Sequence, residues 1–91
     1  MNKKFTLIFL LSFSLLYSQK KELKLAQKLF NQEKVSESKE VLTANSDLIL
    51  NSNDSKIITK YHLLLGQIAK SQKEFSKAFD NFKLAEGNKA I

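Results

Sequence analysis

Few side chains in this sequence could do chemistry, and they stand without the company that chemistry needs. His62 is the only histidine, and there is no cysteine. A metal site takes three or four ligands at defined spacing, so one isolated imidazole reads as a surface or boundary residue. The acids Asp47, Asp54, Glu74 and Asp80 lie apart in polar surroundings, without the paired carboxylates of general acid–base work. Serines are frequent, yet no Gly-x-Ser-x-Gly elbow raises one as a nucleophile and no glycine-rich loop cradles phosphate. The expectation is a protein with no catalytic residue, metal or cofactor. It is read as a non-enzyme.

All fifteen basic residues are Lys and none is Arg. Without a guanidinium there is no planar fork for two-point recognition of carboxylate, phosphate or guanine. The lysines are interspersed with acids rather than clustered, which describes a solvated surface and not a nucleic-acid patch. No nucleic-acid partner is expected.

The N-terminus carries an address. Lys3 and Lys4 form a short positive stretch, and the apolar run Phe5 to Tyr17 follows, thirteen residues long. A membrane span takes about 20 apolar residues, so the run is too short for one and has the length of a secretory h-region. Ser18 is the small residue that precedes cleavage, although Leu16 is larger than the usual partner two positions earlier. The segment is similar to bacterial secretory leaders that end in Ser-Gln or Ala-Gln. Residues 1–18 are therefore expected to leave, with no transmembrane span remaining and a periplasmic or secreted product. No cysteine follows for a lipid anchor. Thirteen lysines against nine acids then leave a net charge of +4.

Residues 19–91 remain to fold, a length at which burial is limited and stability marginal. Proline is absent, and glycine occurs only at Gly66 and Gly87. That scarcity argues against strands and tight hairpins, while Leu, Lys, Glu, Gln and Ala favour helix. Apolar positions recur at helical steps. Leu25, Ala26 and Leu29, with Leu23 and Phe30 beside them, mark a first helix. Val35, Val41, Leu42, Ala44, Leu48 and Ile49 mark a second. Ile57, Ile58, Tyr61, Leu64, Leu65 and Ile68 give the third one broad apolar face. Phe75, Ala78, Phe79, Phe82 and Ala85 mark a fourth, stopped by Gly87-Asn88. Asn31–Lys34 and Ser71–Glu74 are short polar turns, and Asn51–Ser55 is a loop rich in helix-capping residues. The sequence predicts an all-α domain over 19–91 with two antiparallel hairpins, residues 20–50 and 54–88.

The hairpins share a pattern. His62-x-x-Leu65-Gly66-x-x-Ala69 precedes Ala78-x-x-x-Phe82 and Ala85, and Glu22-x-x-Leu25-Ala26-x-x-Leu29 precedes Ser38-x-x-x-Leu42. Gly66 to Ala78 and Ala26 to Ser38 are each twelve residues apart. This resembles the tetratricopeptide repeat, in which Leu-Gly marks the first helix and Ala-x-x-x-Phe the second. The forty-residue offset exceeds the family's 34, Glu22 and His62 replace the usual Trp, and no Pro ends a unit. The resemblance implies that small residues at Gly66 and Ala78 meet at a helix crossing, with Phe82 filling the junction to a following hairpin. A small four-helix bundle is the alternative architecture.

The resemblance further implies a protein–protein interaction module of the bacterial envelope. Its first helices would line a groove for a peptide or partner protein. The groove-facing positions are then Leu23, Gln27, Phe30 and Asn31, together with Lys60, Leu63, Gln67 and Lys70. An N-terminal sensor or scaffold portion of a longer envelope signalling protein is the alternative function, and lysine-driven binding to an acidic polymer a third. The phenylalanines of the last helix raise the expectation of self-association, with Phe82 the uncovered residue.

Overall fold

The computed structural model describes residues 19–89, and the expected leader lies outside them. Among the described residues the fold is all-α, with no strand. Helix α1 occupies residues 19–31, α2 Val35–Ala44, α3 Ser46–Leu50, α4 Ser55–Ser71 and α5 Phe75–Lys89. No helix among these residues is long and apolar enough to cross a membrane.

The turns after α1 and α4 are built alike. Lys34 N donates to Leu29 O and Glu74 N to Ala69 O, both at 2.8 Å, while Glu33 N donates to Phe30 O and Lys73 N to Lys70 O, both at 3.0 Å. This pairing of bonds closes a helix when the residue before the last donor turns left-handed. Glu33 and Lys73 do so, with φ of 65° and 62°. The two turns are forty residues apart, the same offset as the sequence pattern. Two polar breaks without glycine thus adopt one backbone.

Each turn folds the next helix back on the last. Ser38 is fully buried, and its Oγ donates to Ala26 O at 2.7 Å, joining α2 to α1. At the matching position Ala78 is also buried, and the Phe82 ring lies over Gly66. Helix α4 packs against α2 and α3 as well as α5. One apolar cluster holds α1 to α4, centred on Leu42, Ile49 and Ile68, with Leu23, Tyr61 and Leu64 around them.

Four expectations require correction. The segment from Val35 to Leu50 is two helices and not one. Asn45 interrupts it, with φ −110° and ψ 11°, and its Nδ2 donates to Val41 O at 2.8 Å. An asparagine side chain that takes a backbone acceptor competes with the helix. The break lets α3 turn Ile49 fully inward while Leu48 stays exposed. Second, α5 does not stop at Gly87-Asn88 but continues to Lys89. Gly87 has no positive φ, the conformation through which glycine ends a helix. Third, Leu25, read with Ala26 and Leu29 as the apolar stripe of the first helix, is 42% exposed. Its counterpart Leu65 is half-buried against the core.

The fourth correction concerns Phe82. It does not stand at an open junction but folds onto α4. A Cβ built on Gly66 would lie 2.5 Å from Phe82 Cε1 and 2.7 Å from Cδ1. With Phe82 in this position, a side chain at residue 66 would displace the ring. Phe82 is consequently half-buried, and the exposed aromatics of α5 are Phe75 and Phe79.

Candidate functional site

Helices α1 and α4 lie side by side and leave a groove of about 520 Å³ between them. Its floor is apolar: Leu23, Ile57 and Leu64 are buried there. Leu63 stands at the rim, 39% exposed. Gln27 and Gln67 face the opening from the two helices, and Gln27 Nε2 donates to Asn31 Oδ1 at 3.0 Å.

The rim is basic. Lys20 and Lys24 come from α1, and Lys56 and Lys60 from α4. The lining contains one carboxylate, Asp54, which is committed to the start of α4. It accepts from Lys56 N at 3.0 Å and Ile57 N at 3.4 Å, satisfying donors that the first helical turn leaves open. Among the described residues the ion pair present is Lys77–Glu74 at 2.9 Å, at the start of α5 and away from the groove. The four rim lysines are exposed, and among the described residues none of them forms an ion pair.

Five of the eight residues expected to face a partner line this groove: Leu23, Gln27, Lys60, Leu63 and Gln67. Leu23 does so as buried floor, 7% exposed, and not as a projecting contact. The other three lie outside the lining. Phe30 packs against the core cluster, Asn31 ends α1 as the acceptor of Gln27, and Lys70 is exposed near the end of α4. Sequence reasoning missed Lys20, Lys24, Lys56 and Asp54. Of these, Lys20 alone carried a signal: Lys20-x-x-Leu23-x-Leu25-Ala26-Gln27 recurs as Lys60-x-x-Leu63-x-Leu65-Gly66-Gln67, which pairs it with the expected Lys60, whereas Lys24 matches Leu64.

Residues with chemical potential lie elsewhere. His62 Nδ1 is 3.3 Å from Asn81 Oδ1, tying α4 to α5, and its ring meets Tyr61 edge-on at 5.1 Å between centroids. Burial pushes the Tyr61 phenol above its ordinary value, and a hydrogen bond from Ser46 partly opposes this. Lys77 holds the Glu74 carboxyl below its usual range. Neither group lines the groove. Among the described residues no three of His, Cys, Asp and Glu gather as a metal-binding group.

In comparisons with known proteins, no family model, curated protein or solved structure matches the chain.

Proposed function

We propose that the chain is a non-enzymatic binding module of the bacterial envelope. In this reading its hairpins act as tetratricopeptide-like repeats and hold an acidic peptide segment of a partner protein between α1 and α4. The observation that carries the reading is the groove's construction, an apolar floor bordered by four lysines against one carboxylate, Asp54, that caps α4. Its volume falls within the roughly 300–1,000 Å³ typical of binding sites. Leucine-sized side chains of the partner fill the floor, and its carboxylates meet Lys20, Lys24, Lys56 and Lys60. The leader over residues 1–18 delivers the module to the periplasm or beyond. N-terminal mapping of protein from the envelope fraction checks this, and Met1 retained on cytoplasmic protein sinks it.

A fluorescein-labelled peptide alternating Glu with Leu tests the groove by anisotropy. Contacts between exposed charges contribute about 1 kcal/mol each, so Lys20→Glu with Lys60→Glu is expected to weaken binding roughly tenfold or more. Leu63→Gln weakens it through the apolar term. Raised salt reduces affinity but leaves a salt-resistant remainder, since the floor is not screened. If poly-glutamate competes equally well and salt abolishes all binding, simple attraction to an acidic polymer replaces this reading. Unchanged affinity in the double lysine variant refutes it outright. The alternative, a sensor or scaffold portion of a longer signalling protein, draws support from the exposed aromatics of α5.

A further inference from the structure

Helix α1 carries Lys20, Lys21, Lys24 and Lys28, and all four are exposed. At helical pitch they fall within an arc of about 100°, and Glu22, the one acid of the helix, lies about 100° beyond it. Glu22 is also half-buried. Four lysines against one acid give α1 a charge of +3. Helix α4 adds Lys56, Lys60 and Lys70 and no acid. On α2 and α3 the balance is reversed, with Glu37, Glu40 and Asp47 against Lys39. The fold thus sorts charges that are mixed along the sequence. Among the described residues none of the α1 lysines forms an ion pair.

Leu25 belongs to the same surface. It stands four residues after Lys21 and three before Lys28, the spacings at which helical side chains are neighbours, and it is 42% exposed. An exposed leucine alone requires no explanation. Framed by Lys21 and Lys28, it supplies an apolar tip within a cationic face. Lys24 also borders the groove, whereas Lys21, Leu25 and Lys28 are not part of its lining.

The chemistry of this face selects its partner. Protein–protein interfaces are poor in Lys and rich in aromatic residues, and the exposed arc of α1 has four lysines and no aromatic. An ammonium is a compact charge on a flexible stem, without the fork that fixes one carboxylate in register. It suits a surface of many loosely ordered anions, and a bilayer rich in lipid phosphates is such a surface. Each lysine brought to an anionic bilayer strengthens binding about fivefold, and clusters of four or more on a helix act together. The apolar stems of the lysines can lie along the boundary between headgroups and acyl chains while the ammonium groups stay at the phosphates.

We propose that α1 docks the protein on an anionic bilayer surface, with Lys21, Lys24 and Lys28 at the headgroup phosphates and Leu25 among the uppermost acyl carbons.

The protein recovered from the envelope fraction is sedimented with vesicles of phosphatidylcholine and with vesicles of equal phosphatidylcholine and phosphatidylglycerol. The difference between the two reads the charge-driven part of binding. Preference for the anionic vesicles is expected, weakening as salt is raised. Lys21→Gln with Lys28→Gln should reduce it roughly tenfold or more. Both residues are exposed, so the melting temperature of this variant stays near wild type. Its affinity for the Glu–Leu peptide changes little, because neither residue lines the groove. The chain contains no Trp, so Leu25→Trp gives a reporter whose emission moves to the blue on anionic vesicles. Leu84→Trp, at an exposed position of α5, is the control that does not move. Equal binding to both kinds of vesicle, or an unweakened Lys21/Lys28 variant, overturns the proposal. A blue shift at residue 84 and none at residue 25 puts another face on the bilayer and overturns it also. Vesicle binding without a shift at residue 25, displaced by poly-glutamate of equal charge, makes any polyanion the partner and overturns it too. Loss of peptide binding with vesicle binding intact would instead defeat the groove alone, so the two proposals stand or fall separately.

Discussion

At Gly66 a helix position that ordinarily prefers alanine is reserved for glycine by a neighbour's ring. Alanine gains about 1 kcal/mol over glycine in a helix interior. Its Cβ would meet Phe82 Cε1 at 2.5 Å, however, and overpacking costs about 1–3 kcal/mol. Gly66→Ala is therefore expected to lower stability in the wild type and raise it when Phe82→Ala has removed the ring. Chemical denaturation of the four proteins in the cycle checks the sign reversal. A Gly66→Ala gain in both backgrounds would show that the ring moves away freely. Residues 33 and 73 make the opposite case, since Glu33 and Lys73 carry side chains at φ of 65° and 62°. Non-glycine residues in that region cost roughly 1–2 kcal/mol. Lys73→Gly should recover about 1 kcal/mol, less what glycine loses in unfolded-chain entropy, and an unchanged denaturation midpoint would contradict this. The sequence marked both turns only by polarity. Left-handed residues at Glu33 and Lys73 were illegible, because nothing in a glutamate or lysine signals them. The Leu-Gly pair was legible, but the ring that explains Gly66 was assigned to the wrong neighbour.

Among the elements, helices with a broad apolar face were the easiest to read. Helix α4 has Ile57, Tyr61, Leu64 and Ile68 on one side and a capping residue before it, and both the helix and its start appear where expected. The break between α2 and α3 was hidden. Leu48 and Ile49 continue the apolar steps of α2, so periodicity runs smoothly across Asn45, where a side chain takes Val41 O. The lysines of the groove were hidden for a different reason. Scattered in sequence among acids, they converge only when α1 and α4 lie side by side. Asp54 serves two elements at once, capping α4 and supplying the groove's single carboxylate. Asp54→Ala should cost about 1 kcal/mol through the lost cap. Asp54→Asn keeps a capping oxygen and removes the charge, so stability stays within a few tenths of that of the wild type, while affinity for the Glu–Leu peptide rises. Paired thermal melts and anisotropy titrations separate the two roles. A fall in affinity for Asp54→Asn would mean that the carboxylate orients the rim rather than opposing the ligand.

Across the whole molecule, burial is uneven. The central cluster takes Leu23 and Ala26 from α1, Leu42 from α2, Ile49 from α3 and four large residues from α4, but nothing from α5. Helix α5 runs along α4, yet the side chains it fully buries are Ala78 and Ala85. Apolar burial contributes about 25 cal/mol per Å², and a methyl group offers little area. Half-buried Phe82 is then the main apolar anchor of α5. Local opening takes less free energy where few large contacts must break, so α5 should detach before the cluster fails. Amide hydrogen exchange is expected to show lower protection in α5 than in α2 and in the α2-facing turns of α4. Phe82→Ala should lower α5 protection further and leave α2 unchanged. Ile49 is the reverse case, fully buried on a five-residue helix that holds α3 against α4. Ile49→Ala should cost about 2–5 kcal/mol, a large share of the roughly 5–15 kcal/mol that domains possess. Protection should then fall in α2, α3 and α4 together. Equal opening free energies for α5 and α4 in the wild type would show one cooperative unit.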